Sequence, residues 1–425
     1  MAEILTSNQA PQKSYHSAHR GGLAGDIFTF LVAMLWFAEV EVVGRLFIIE
    51  ILFLFIALYV LASRAKRKTL PPFIKQILPL LGLWLLAQII TDVYRASPFE
   101  DYARGWAKIF FFGSNIVAIY VLTKGMERRL LLFMAGFAIG ELLGIIWFPN
   151  VYFEGGMIWK FGYAVPVATL AILVTMKLGS RVLSVLVLIG LSAVNLLLDF
   201  RSLAGFCAGA AILTSYAGVA SSPGEIARKY RTGGSTFLKR LAWIGMATIL
   251  VISFVRLYQS AESIDLGALV SEGSRYGIER NPLYGRIETL VGLKAAMDSP
   301  LIGHGSWAKD IEYAVLAQAM AIDIGKVTGP LMDDLIPSHS YLIGAWVEAG
   351  IVGAFFWLFI FLHSVKAVKR AVNVTPHLIS IISFLLLTFL WAVLFSPFGA
   401  AGRITAALSI VIVNFVLNRA TLAGR

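Results

Sequence analysis

Apolar runs long enough to cross a lipid bilayer recur along almost the whole of this chain, and they constrain its fold more tightly than any motif. A helix needs roughly 20 apolar residues to span the hydrocarbon core. Twelve segments of that kind lie near 24–40, 44–63, 73–93, 106–123, 129–148, 160–177, 182–199, 201–219, 240–258, 339–362, 377–396 and 402–419. At 58% hydrophobic and only 14% charged, the 425 residues carry too little polar surface for a soluble protein of this length. The expected fold is therefore an all-α polytopic membrane protein. A polar stretch precedes the first apolar run and no A-x-A-like site follows it, so a cleaved signal peptide is not expected. The lone cysteine, Cys207, falls within the eighth segment, which leaves no internal disulfide and reads as small-residue packing.

The 36 Lys and Arg outnumber the 25 Asp and Glu, giving a formal net charge of +11. A basic chain raises the question of nucleic acid, but the distribution of charge answers it differently. With the N-terminus inside, the short loops "SRAKRKTLPPFIK", "TKGMERR", "EIARKYRTGGSTFLKR" and "VKAVKR" share the inner side, which as a whole holds 22 of the 36 Lys and Arg against 14 outside. That is the positive-inside bias of membrane topology. An even number of spans then places both termini inside, and no nucleic-acid partner is expected.

Three regions follow: spans one to nine in 1–257, an outer loop at 258–338, and spans ten to twelve in 339–425. Within the loop, "RIETLVGLKAAM" (286–297) and "AKDIEYAVLAQAMAIDIG" (308–325) show helical spacing, with Pro300, Gly303 and Gly305 between them. The spacing predicts a folded helical cap. No fixed-period repeat, inverted repeat, Gly-rich phosphate cradle, CxxC or HExxH is visible, which removes the usual ATPase, redox and zinc-protease readings.

The polar residues at the outer boundary invite both structural and chemical readings. Asp199 and Arg201 interrupt "LLLDFRSLAGFCAGA"; they form an interface anchor, or Arg201 is an anion contact fixed by a tight turn. Gly205 and Gly209 behind them make a small-residue packing face. In "EGSRYGIERNPLYGRIETL", Arg275, Arg280 and Arg286 suit phosphate oxygens, because guanidinium binds them in a forked manner; Glu272, Glu279 and Glu288 nearby allow a salt-bridged surface instead. His339 stands where the chain enters a long apolar run, and a histidine there is either structural or a general base. Glu348 is nine positions on, which an ideal helix turns about 180° away from His339. The two are not expected to form a dyad, and Glu348 should hydrogen-bond within the bundle. "LMDDLIPSH" adds a competing idea, Mg²⁺ held by Asp333 and Asp334, against the more ordinary reading of solvated acids.

With those residues in view, "SHSYLIGAWVEAGIVGAFFW" resembles the signature of the O-antigen ligase and polymerase superfamily, in which a histidine ends a large loop and E-x-G-x-x-G follows, here Glu348, Gly350 and Gly353. "YGRIETLVGLKAAMDSPLIGHG" resembles the family's other stretch, an arginine opening a loop helix and a P-L-x-G-x-G turn after it; His304 is incidental to that pattern. "FRSLAGFCAGA" resembles its arginine-led helix start. The resemblance implies a GT-C-like fold of twelve transmembrane helices with one large periplasmic helical loop, in the bacterial inner membrane, with both termini cytoplasmic and the active site periplasmic. It implies transfer of O-antigen from undecaprenyl diphosphate to a sugar hydroxyl of lipid A–core, inverting, with no cofactor, nucleotide or metal. His339 would be the base and Arg201 and Arg286 the diphosphate contacts, with Arg275 and Arg280 as further candidates and Glu348 and Asp199 in support. An O-antigen polymerase, a protein-glycosylating oligosaccharyltransferase of the same superfamily, and a transporter or flippase without chemistry are the alternatives.

Overall fold

The computed structural model describes residues 22–42, 44–149, 157–220, 287–323 and 334–423. The ninth expected span, Arg275, Arg280, Arg286 and Asp333 lie outside them. The described residues form an all-α, multi-pass membrane protein. Helices α1 (Leu23–Met34), α2 (Ile48–Ala62), α3 (Arg64–Thr69), α4 (Pro72–Arg95), α5 (Phe99–Thr123), α6 (Glu127–Trp147), α7 (Ala164–Lys177), α8 (Arg181–Leu197) and α9 (Arg201–Ala220) precede the loop helices α10 (Ile287–Asp298) and α11 (Ile311–Asp323). Then come α12 (Tyr341–Val374), α13 (Ile379–Phe395) and α14 (Ala400–Ala423). Among the described residues six helices are long and apolar enough to cross a membrane: α4, α5, α6, the stretch Trp159–Lys177 that contains α7, α12 and α14. Helices α2, α8 and α13 are apolar but shorter.

Several boundaries differ from expectation for identifiable reasons. The first expected span closes early: α1 gives way to a 3-10 turn at Leu35–Phe37 and a two-stranded antiparallel hairpin, β1 (Glu39–Glu41) and β2 (Arg45–Phe47). Helix α5 begins at Phe99, two turns before the apolar run at 106, because Pro98 sets its start and Glu100 and Asp101 suit a helix N-terminus. Helix α12 runs to Val374, well past 362, since Ser364, Ala367, Ala371 and Val372 keep its buried stripe while Lys366, Lys369 and Arg370 stay on the other face. In the loop, the helices expected from 286 and 308 form as α10 and α11. Of the small-residue pair in α9, Gly209 presses on Leu387 Cδ1 of α13, 3.0 Å from where a Cβ would stand; Gly205 meets open space.

Within the bundle several buried charges are paired across helices. Asp26 of α1 takes Arg129 Nε and Arg128 Nε of α6, each at 3.0 Å. Glu50, fully buried at the start of α2, accepts from Arg403 Nε of α14 at 2.9 Å and from Asn115 Nδ2 of α5 at 2.8 Å. Its carboxylate also receives the Phe47 N–H at 3.3 Å, a donor left over at the helix start. Charged groups this deep are stable only when paired.

Candidate functional site: a divided cleft at the loop end of the bundle

The two glycine motifs singled out in the sequence are halves of one device. Helix α12 is interrupted at Ala349 (φ −125°, ψ 16°) and Gly350 (φ 65°, ψ −163°). In an unbroken helix, Val347 and Glu348 carbonyls would accept from residues 351 and 352. Here they accept from the His304 N–H at 2.6 Å and the Gly305 N–H at 3.1 Å, and the Ile351 N–H donates to Pro300 O at 2.9 Å. The turn at 300–305 thus fills the break and satisfies its backbone. Gly303 (φ 87°) lies so close that a Cβ would stand 2.7 Å from Gly350 N and 2.8 Å from Val347 O. A Cβ on Gly353 would stand 2.3 Å from Ala345 O, so that glycine lets α12 fold back against its own first turns. His304 uses its ring Nε2 on Ala295 O at 2.8 Å, a structural contact.

Asp92 of α4, only 3% exposed, holds the next residues. Its Oδ1 accepts the Ser306 N–H at 2.6 Å and the Ser97 hydroxyl at 2.9 Å; its Oδ2 accepts the Ser306 hydroxyl and the Trp106 indole N–H, both at 2.7 Å. Arg95 grips Gly303 O through Nε at 3.0 Å and Nη2 at 2.8 Å. Further along, Lys309 Nζ meets Asp101 Oδ2 at 2.7 Å, a contact that raises the lysine's pKa. The loop helices are joined by Asp298, which accepts from Tyr313 Oη at 2.6 Å and Lys294 Nζ at 2.9 Å. Those two bonds, Tyr313's first, hold the carboxyl below the usual carboxylate range. A carboxyl of lowered pKa contributes stability above its unfolded pKa and loses it as pH falls through the folded one. Protection of the α10 and α11 amides against exchange, corrected for the intrinsic rate, should therefore fall on acidification below about pH 4, and Asp298→Asn should remove that dependence.

The anchored loop roofs a cleft in two compartments. The larger, about 510 Å³, is lined by four cations, Arg45, Arg104, Lys108 and Arg403, with Phe111 and Leu46 as apolar wall. The smaller, about 340 Å³, is lined by His339, Ser338, Glu348, Tyr341 and Trp84. Lys108, Trp307, Phe398 and Gly399 border both. Beneath lies a rigid aromatic floor: Trp357 is fully buried, 4.9 Å from both Phe398 and Tyr341 by ring centroids and 5.5 Å from Phe112.

His339 is exposed, and its backbone is fixed on both sides. Ser340 caps α12, its hydroxyl accepting the Ile343 N–H at 3.1 Å and donating to Val393 O at 2.9 Å. On the other side α10 lies against Pro337 and Ser338, close enough that a Cβ on Gly292 would stand 2.8 Å from Pro337 O. Because α12 starts only at Tyr341 and Ser340 is extended (φ −161°, ψ 134°), helical geometry does not relate His339 to Glu348. Both line the same compartment, contrary to the separation expected from an ideal helix. Glu348 is bound within the bundle as expected, its carboxylate paired with Lys108 Nζ.

Arg201 is placed elsewhere. Its Nε pairs with Asp199 Oδ1 at 2.7 Å at the turn between α8 and α9, where Asp199 adopts φ 54°, and neither residue lines the cleft. The cations that do line it, Arg45, Arg104, Lys108 and Arg403, were missed in the sequence. For Lys108 and Arg403 a signal was available: like Glu50 and Glu348 they are isolated charges inside apolar segments, where pairing across the bundle is the default expectation.

No protein-family model matches the sequence, and none of the curated proteins does.

Proposed function

We propose that the chain is a membrane glycosyltransferase that moves a glycan from a polyprenyl diphosphate to a sugar hydroxyl. The observation that carries this reading is a cationic compartment sharing its wall with one that holds an exposed imidazole. The diphosphate occupies the larger compartment. Arg45 pairs with Glu39 at 3.4 Å and Arg104 with Glu100 at 3.8 Å, both long contacts with one member well exposed. Such pairs are weak, typically ~0–1 kcal/mol, and exchange readily for phosphate oxygens. Arg403 is held rigidly by Glu50, which pre-organises it for charge that develops on the leaving group. His339 deprotonates the acceptor hydroxyl, which attacks the anomeric carbon in line; the C–O bond to diphosphate breaks with inversion, and the lipid diphosphate leaves as an anion. Lys108 stands at the junction, beside both attack and departure.

The particular member this reading favours is an O-antigen ligase, twelve-span and GT-C-like, in the bacterial inner membrane, with a periplasmic cleft and lipid A–core as acceptor. Among the described residues, the basic stretches at 64–68, 124–129 and 366–370 stand at helix ends away from the cleft, which supports that orientation. A polymerase would use the same chemistry with a second lipid-linked glycan. A transport reading could draw on the broken helix, since transporters bind substrate at such breaks. Here the freed backbone groups are occupied by the 300–305 turn, which argues against it.

The test is purified protein with undecaprenyl-diphosphate glycan and lipid A–core, in excess chelator and without an energy source. Transfer should proceed, and His339→Ala should lower its rate about 10²–10⁴-fold with the fold retained. Near-normal transfer by that variant would remove the base role, and a strict metal requirement would return attention to Asp333 and Asp334.

A further inference from the structure

We propose that Trp307 is a carbohydrate-stacking platform that seats the acceptor sugar beside His339. For its ligand class the proposal rests on the glycosyl-transfer reading.

Trp307 has φ 50°, a left-handed backbone that a bulky side chain rarely adopts. Such strain persists only where neighbours over-determine it, and it clusters at ligand sites. Both neighbours are clamped: Ser306, 3% exposed, is bound to Asp92, and Ala308, 7% exposed, accepts the Ile336 N–H at 2.9 Å. Between these buried residues the indole remains 39% exposed. A large apolar ring held out by a strained backbone, between two anchored residues, is not explained by packing.

Its position supplies the explanation. The ring borders both compartments, with the Arg104 guanidinium 5.7 Å from its centroid. Arg104 lines only the larger compartment, and the one cation that also borders the His339 compartment, Lys108, is paired there with Glu348. Among the described residues Trp307 makes no ring contact with another aromatic side chain. A pyranose offers an apolar C–H face that packs on an indole while its edge hydroxyls remain free for hydrogen bonds. Stacked here, one hydroxyl would face the imidazole, and the larger compartment would be left to the donor. The chemistry fits a hexopyranose, with its acceptor hydroxyl pointing away from the ring.

The experiment measures saturation transfer from the full chain in detergent to methyl glucoside, methyl galactoside and chitobiose, for the parent, Trp307→Phe and Trp307→Gly. At least one sugar should bind the parent, with transfer strongest at its ring C–H protons. Phe should retain affinity within about threefold, whereas Gly should weaken it at least tenfold while melting no lower than the parent, because glycine relaxes the left-handed backbone. Equal binding by parent and Trp307→Gly overturns the proposal, as does absence of sugar binding to the parent. A Trp307→Gly protein that melts well below the parent does so too, since the indole would then be structural. If Trp307-dependent binding is found but glycan transfer from the lipid diphosphate is not, the sugar subsite stands and the transferase reading fails.

Discussion

Gly350→Ala should abolish stable folding of the loop end, with a loss of about 4 kcal/mol or more. Three effects add. A φ of 65° with ψ −163° is a region open essentially to glycine alone, and holding another residue there costs ~1–3 kcal/mol. The new Cβ would stand 2.0 Å from Leu301 O and 2.5 Å from Leu301 C, both backbone atoms of the turn that fills the break. Moving that turn costs a further ~1–3 kcal/mol as overpacking, and its bonds to Val347, Glu348 and Ile351 contribute ~1 kcal/mol each. Against a total stability of ~5–15 kcal/mol this is severe. Gly190→Ala is the control, since its Cβ meets nothing within 4 Å and α8 gains ~0.5–1 kcal/mol from losing an exposed glycine. Thermal unfolding with size-exclusion monitoring separates the two; equal melting curves would mean the interlock of the two glycine motifs is incidental.

Glu50→Ala should be nearly as damaging, and for an electrostatic reason. It leaves Arg403, 7% exposed, without its carboxylate, along with the Asn115 amide and the Phe47 N–H. Removing one member of a buried pair typically costs ~3–5 kcal/mol, whereas replacing both by apolar residues is often neutral. The double variant Glu50→Leu with Arg403→Met should therefore recover much of the melting temperature without recovering glycan transfer. A double variant that transfers glycan like the parent would show Arg403 to be scaffolding, leaving Arg45, Arg104 and Lys108 to hold the diphosphate.

The course of the helices could be read from residue order because burial in hydrocarbon acts on each segment separately. "PPFIKQILPLLGLWLLAQII" or "TAALSIVIVNFVL" is apolar whatever surrounds it, and α4 and α14 lie where those runs stand. The loop helices were likewise local, marked by spacing and by glycine and proline at their ends. The glycine motifs were visible as patterns, but not their meaning. Nothing in "EAGIVG" states that its missing helical bonds are made by "PLIGHG", some 45 residues earlier in the chain.

The candidate site divides along the same line. His339 could be found because a histidine at the entrance to an apolar run is locally conspicuous. Its neighbourhood could not, and the helical-wheel argument that separated it from Glu348 failed because the helix starts at Tyr341. By itself, the order of residues determined which stretches are apolar enough to cross a membrane, where short basic stretches cluster, and where one imidazole sits. Only the tertiary structure decided that Glu50 neutralises Arg403, 353 positions away, that Lys108 joins Glu348, and that Arg201 stays at its own turn with Asp199. The reason is that partition into lipid is a property of one segment, while a buried charge is stable only beside a partner that packing, not proximity in the chain, brings to it.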